Sequence, residues 1–156
     1  MEEKEKKYKL ITQNRKARHD YHILQTVEAG IALVGTEVKS LRQGKAQLKD
    51  SYAIIEAGEL YLYNMHISAY EQGNIQNHDP TRKRKLLMHK RELKKLYART
   101  AERGLTLVPL KIYFLGKVAK LELAVARGKK AYDKRQAIGE RDAKREIDRK
   151  LKERRH

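Results

Sequence analysis

Two neighbouring His-Asp pairs, His19-Asp20 and His78-Asp79, are the residues whose types could run acid–base chemistry. A histidine beside a carboxylate can hold and pass a proton, provided that both groups reach the same atom of a substrate. Sequence neighbours on a strand or turn point apart, so neither pair is placed for that work. Ser40 lacks the G-x-S-x-G setting of an activated nucleophile. There is no H-E-x-x-H motif, no glycine-rich phosphate loop and no acidic cluster suited to magnesium. Cysteine is absent, which excludes disulfides and thiolate zinc sites and fits a reducing, cytoplasmic setting. The expectation is a binding protein with no catalytic residue, no metal and no cofactor.

The remaining chemistry is charge. Lysine and arginine number 37 against 20 acidic residues, a formal net charge of +17 over 156 residues. Such an excess draws polyanions, nucleic acid first and anionic membrane second. No run of about 18 apolar residues exists to span a bilayer, and "MEEKEKKYK" has no apolar signal core. Nine tyrosines accompany one phenylalanine and no tryptophan. A tyrosine ring with a polar end suits base stacking, and it equally suits half-buried strand positions.

The elements that must carry these groups are short. Met1 to Lys9 reads as a flexible terminus, and "ITQNRKARHDY" as a helical turn capped by Asn14. "YHILQTVEAGIALVG" alternates as a strand, with a bend or bulge expected at Gly30. "TEVKSLRQG" reads as a helix capped by Thr36 and stopped by Gly44, with Val38 and Leu41 inward and Lys39, Arg42 and Lys45 outward. "SYAIIEAGELYLYNMHI" is a hairpin around Ala57-Gly58-Glu59. A polar loop containing Pro80 follows, and Leu86 to Met88 lead into the helix "HKRELKKLYARTAERG". Leu93, Leu96, Tyr97 and Ala101 form the apolar stripe of that helix. A second hairpin turns at Gly116-Lys117, with Pro109 marking its first strand as edge or bulged.

About six strands and a few helices make a mainly β chain. The expected fold is a small antiparallel barrel of the oligonucleotide-binding type, flanked by helices and complete near Ala126. The expected division is therefore 1–9 as terminus, 10–126 as barrel and 127–156 as a basic tail. That tail holds thirteen basic and six acidic residues, with Ala143, Ile147 and Leu151 at helical spacing. So thin a stripe does not sustain an isolated helix. It predicts a segment that is disordered when free and helical against phosphates.

Six segments go further than composition. "NRKARHDY", "EAGIALVGTEVKSLR", "DSYA", "DPTRKRKLL", "TLVPLKIYF" and "RGKKAYDKR" occur in this order. They resemble the small protein B family, the SsrA-binding proteins of bacteria, over roughly Asn14 to Arg149. The resemblance implies an oligonucleotide-binding-type barrel that binds the tRNA-like domain of transfer-messenger RNA. It implies delivery of that RNA to stalled ribosomes for trans-translation, in which the nascent chain is tagged for degradation. The body would replace an anticodon arm, and the tail would probe the decoding centre and the empty mRNA channel. Elongation factor Tu is implied through the charged RNA complex.

Carried over by motif, Glu28, Leu87 and Lys120 belong to the RNA face. Asn14, Arg15, Lys16, Arg18, His19, Lys39, Arg42 and His89 are further candidates for it. Gly128, Lys129, Lys130, Tyr132, Asp133, Lys134, Arg135 and Ile138 map to the decoding-site segment. From charge and size alone, a ribosomal or general structured-RNA-binding protein is the alternative. A membrane-surface role is the weaker third reading, because the tail stripe is thin and carries no Trp or Phe.

Overall fold

The computed structural model describes residues 7–70 and 77–129. Its elements are β1 (Tyr8–Gln13), α1 (Arg15–Asp20), β2 (Tyr21–Ile31), α2 (Gly35–Arg42), β3 (Ala46–Gln47) and β4 (Tyr52–Glu56). Then come β5 (Glu59–Tyr63), β6 (His66–Ile67), β7 (Arg84–Leu87), α3 (Lys90–Thr100), β8 (Leu105–Leu115) and β9 (Val118–Gly128). Strands β8, β4, β5, β7, β2 and β9 follow one another around a sheet, and β9 pairs back onto β8, closing an antiparallel barrel. The mainly β barrel expected from the sequence is the observed one. β1 lies outside the ring against the second half of β8, while β3 and β6 form a separate two-stranded pair.

Two tight turns set the register. Ala57 and Gly58 both take positive φ, 49° and 77°, between paired Glu56 and Glu59. That geometry matches the right-handed twist of a two-residue hairpin. Gly116 supplies a positive φ of 60° between paired Leu115 and Val118. The long hairpin β8–β9 then presents Ile112, Leu121, Leu123 and Val125 to the barrel interior, where they cluster with Leu60, Leu62 and Leu86. A second, smaller cluster of Ala17, Val108, Leu110, Ala124 and Ala126 seats α1 on the outside of the same hairpin.

Asn14 begins α1 as its sequence suggests, its Oδ1 accepting from the Ala17 amide at 3.2 Å. Its amide nitrogen also donates to the carbonyls of Leu48 and Pro109, at 3.2 and 3.0 Å. The β8 register shifts between Pro109 and Lys111, where proline has no N–H to give the ladder. The bulged strand expected there is present.

Elsewhere the structure corrects the sequence reading. Tyr8 and Lys9 are not terminus but part of β1, paired with Leu115 and Phe114. The bulge in β2 falls between Ile23 and Gln25, not at Gly30. Gly30 serves close approach instead: a Cβ there would lie 3.3 Å from the Leu87 Cβ on β7. α2 is not capped by Thr36, whose hydroxyl turns to His78 Nδ1 at 2.8 Å. The Glu37 carboxylate reaches back to the Val34 amide, at 2.9 Å. "RKLL" is a strand, not a lead-in, and Tyr97 is 61% exposed rather than part of the core stripe. β9 continues past Ala126, with Arg127 and Gly128 opposite His22 and Tyr21.

Candidate nucleic-acid interface

One groove of about 1000 Å³ runs between α3 and the strands β2, β7 and β9. β2 contributes Gln25, Val27, Glu28 and Gly30, β7 contributes Leu87, and β9 contributes Lys120 beside Val118 and Ala119. His89, at the N-cap of α3, sits at its rim. Thus Glu28, Leu87, His89 and Lys120, named from separated stretches of sequence, are brought to one place.

The reason is pairing. β2 lies between β7 and β9, so that Gly30 is opposite both Leu87 and Lys120, and Glu28 is two residues earlier on the same face. Because Gly30 has no side chain, Leu87 stays close to β2 and remains 50% exposed. A leucine held half in solvent gives the groove an apolar platform, joined by equally exposed Val118.

Charge is arranged on both walls. α3 turns Glu92, Lys95 and Arg99 toward the groove while Leu96 is buried, since residues three and four apart share a helix face. Lys120 faces them and makes no ion pair among the described residues. The three cations are suited to phosphates. Glu28 and Gln25 are suited to base edges and ribose hydroxyls, which a carboxylate or an amide can accept from.

Glu28 is oriented from behind. Its directly opposite neighbour on β9 is Glu122, a like-charge pairing that costs stability unless compensated. Lys111 and Arg18 lie 3.4 and 3.8 Å from the Glu122 carboxylate. Glu28 instead accepts a hydrogen bond from the Tyr113 hydroxyl, 85 residues away on β8. Burial, and then the bond to Glu28, push the Tyr113 hydroxyl well above its ordinary value of 10. It therefore remains a neutral donor.

The other candidates lie off the groove. Asn14 is buried with its side-chain amide committed to the fold, so it acts by holding α1 and is not an exposed contact. Arg15, Lys16, Arg18 and His19 are exposed on α1. There Lys16 is 3.8 Å from Asp50, and the Arg18 carbonyl accepts from Lys129 Nζ at 3.4 Å. Lys39 and Arg42 are exposed on α2, their cations 5.4 and 6.0 Å from the Tyr70 and Phe114 ring centres. Gly128 ends β9 and Lys129 follows it. Lys130, Tyr132, Asp133, Lys134, Arg135 and Ile138 lie outside the described residues.

The two His-Asp pairs have different fates. His19 and Asp20 do meet, Nδ1 to Oδ1 at 3.1 Å, because the end of α1 turns them together. The expectation that they point apart is corrected. The His78 ring is taken up by Thr36 and by the Ile67 carbonyl, each at 2.8 Å. Among the described residues, no group of three or more His, Asp or Glu could hold a metal, and no helix is long and apolar enough to cross a membrane.

Gln25, Lys95, Arg99 and Tyr113 escaped the sequence reading. For Lys95 and Arg99 the signal was present: they flank Leu96 on the helical repeat, and that face had only to be assigned to a groove. Tyr113 carried none, because its contact crosses β9.

The model of the family "SmpB protein" matches residues 11–153 of this chain. The SsrA-binding protein of Pelotomaculum thermopropionicum is 64% identical over 146 residues, covering 94% of this chain and 95% of that protein. The SsrA-binding protein of Carboxydothermus hydrogenoformans is likewise 64% identical, over 94% of this chain and 98% of its own. A solved chain described under "tmRNA-SmpB: a journey to the center of the bacterial ribosome" superposes with a TM-score of 0.65. It is 60% identical, with 76% of this chain and 83% of that chain covered.

Proposed function

This chain belongs to the SmpB family of SsrA-binding proteins, and on that premise we propose that its groove binds the tRNA-like domain of transfer-messenger RNA. The protein then carries that RNA to stalled ribosomes for trans-translation. One observation supports the reading above the rest. Glu28, Leu87 and Lys120, which come from three different strands, converge on the groove that α3 supplies with Lys95 and Arg99.

In this reading the cations hold phosphates and fix register, while Glu28 and the apolar platform at Leu87 meet the sugar and base surface. The α1 cations Arg15, Lys16 and Arg18, with His19, add backbone contacts outside the groove, as do Lys39 and Arg42 on α2. The barrel from β1 to the end of β9 forms the RNA-holding body. The segment Gly128, Lys129, Lys130, Tyr132, Asp133, Lys134, Arg135 and Ile138 leads a basic tail into the decoding centre and mRNA channel. Elongation factor Tu joins through the charged RNA, and the setting is the cytoplasm.

Binding measured at one fixed salt concentration tests the reading, because affinity for any nucleic acid moves with salt. The tRNA-like domain is expected to bind more tightly than an unrelated hairpin of equal length. Equal affinity for the two would return the protein to the class of general structured-RNA binders.

A further inference from the structure

We propose that Tyr113 is a positioning residue for RNA binding: its hydroxyl fixes the rotamer of Glu28 and leaves that carboxylate charged and open to the RNA. The inference rests on the reading of Glu28 as part of the RNA face.

Glu28 and Glu122 stand directly opposite each other on β2 and β9, and their environments separate their roles. Glu122 lies within ion-pair range of two cations, Lys111 and Arg18. A carboxylate so neutralised is a poor acceptor for anything else. Glu28 receives one hydrogen bond, from a phenol, and no ion pair joins it to a lysine or arginine among the described residues. A neutral donor holds one oxygen and leaves the charge in place. The second oxygen then accepts from a base amino group or a ribose 2′-hydroxyl, and charge-assisted bonds of that kind are the stronger ones.

Tyr113 is itself held in position. It is 5% exposed, its ring lies 5.0 Å from that of Tyr8 at 37°, and Lys111 Nζ sits 5.6 Å from both ring centres. From β8 it reaches over β9 to arrive at Glu28. Side chains that position a binding group in this way contribute through geometry, by removing rotamers that do not bind.

The test is a double-mutant cycle on the full chain, using a transcript of the tRNA-like domain as probe: Tyr113→Phe, Glu28→Ala and the pair. Tyr113→Phe is expected to weaken binding by about three- to tenfold, the range of one hydrogen bond. The slope of affinity against salt should not move, because no phosphate contact is lost. On the Glu28→Ala background, Tyr113→Phe should have no further effect, whereas a merely structural tyrosine would weaken both backgrounds equally. Thermal melts of each variant separate binding losses from folding losses. Additive losses, or parental binding by Tyr113→Phe beside weakened Glu28→Ala, overturn the positioning role alone. Parental binding by Glu28→Ala removes the premise, and the role of Tyr113 with it.

Discussion

At the scale of single residues, the groove sorts its side chains by what each can do to RNA, and the sorting is measurable. Lys95 and Arg99 face it from α3 and have no role in the core, so replacing either removes charge without opening a cavity. Lys95→Ala and Arg99→Ala should each lower the slope of log affinity against log salt by about one, as the loss of one phosphate contact does. Titrations at several salt concentrations would show it, and an unchanged slope would put that residue outside the contact. Leu87→Ala should behave in the opposite way, with weaker binding at every salt concentration and the same slope. Its half-exposed side chain contributes little to the core, so the melting temperature should hardly shift. At this scale the sequence named Glu28, Leu87, His89 and Lys120, which the fold brings to one groove. It was mute on Tyr113, since a hydrogen bond crossing an intervening strand leaves no trace in local spacing.

At the scale of elements, the unexpected feature is how α2 and β7 are joined. The Glu37 and Arg84 side chains are both 0% exposed and paired to each other, and Arg82 closes on the same carboxylate at 2.5 Å. Arg84 also donates to the Met65 and Pro80 carbonyls, at 2.6 and 3.0 Å, so that one guanidinium ties together the helix, the link between β5 and β6, and the loop before β7. The strand that presents Leu87 is only four residues long, and this cluster anchors its first residue. Nothing local in "TEVKSLR" or "RKRKLL" marks one glutamate and one arginine among many charges as partners 47 residues apart. Glu37 therefore has no assigned place in the sequence reading, and Leu86 and Leu87 read as a lead-in to α3 when they belong to β7. Glu37→Ala leaves Arg84 charged, buried and without its carboxylate, a loss of about 3–5 kcal/mol. Urea unfolding should show it as a large fall in midpoint, and a fall of only a few tenths of a kcal/mol would mean that Arg84 finds water. The pair also sets an acid limit. Burial pushes the Glu37 carboxyl up, but bonds from Arg82, the Val34 amide and Arg84 outweigh it and hold the group below its ordinary 4.5. As pH falls, the unfolded chain takes up that proton first. The contribution is therefore complete above about 4.5 and is lost as pH drops below it toward the folded-state value. In Glu37→Ala this part of the acid-side decline should be missing.

At the scale of the molecule, the barrel was legible because its two hairpins announce themselves through alternation and through glycine at the turns. Where it ends was less so. "AVARGKK" passes from apolar to basic at Arg127, and a change of composition invites a boundary there. Backbone pairing ignores composition, however. Arg127 lies opposite both His22 and Leu105, and Gly128 opposite Tyr21, so that the last two residues of β9 are stitched to β2 and β8 whatever their side chains. Two truncations therefore differ more than three residues would suggest. A chain ending at Lys129 keeps every described strand pair. It should melt close to the full-length protein and still prefer the tRNA-like domain, while failing to support tagging on ribosomes. A chain ending at Ala126 removes the pairings at the base of β2 and the Lys129 contact to the carbonyl end of α1. Its melting temperature should fall, and amide exchange should quicken first at Tyr21, His22 and α1, because local opening starts where pairing is thinnest. If the Ala126 truncation melts and exchanges like the Lys129 one, the boundary belongs where composition alone would draw it. If the Lys129 truncation loses the RNA, the segment beyond it is part of the RNA-holding body.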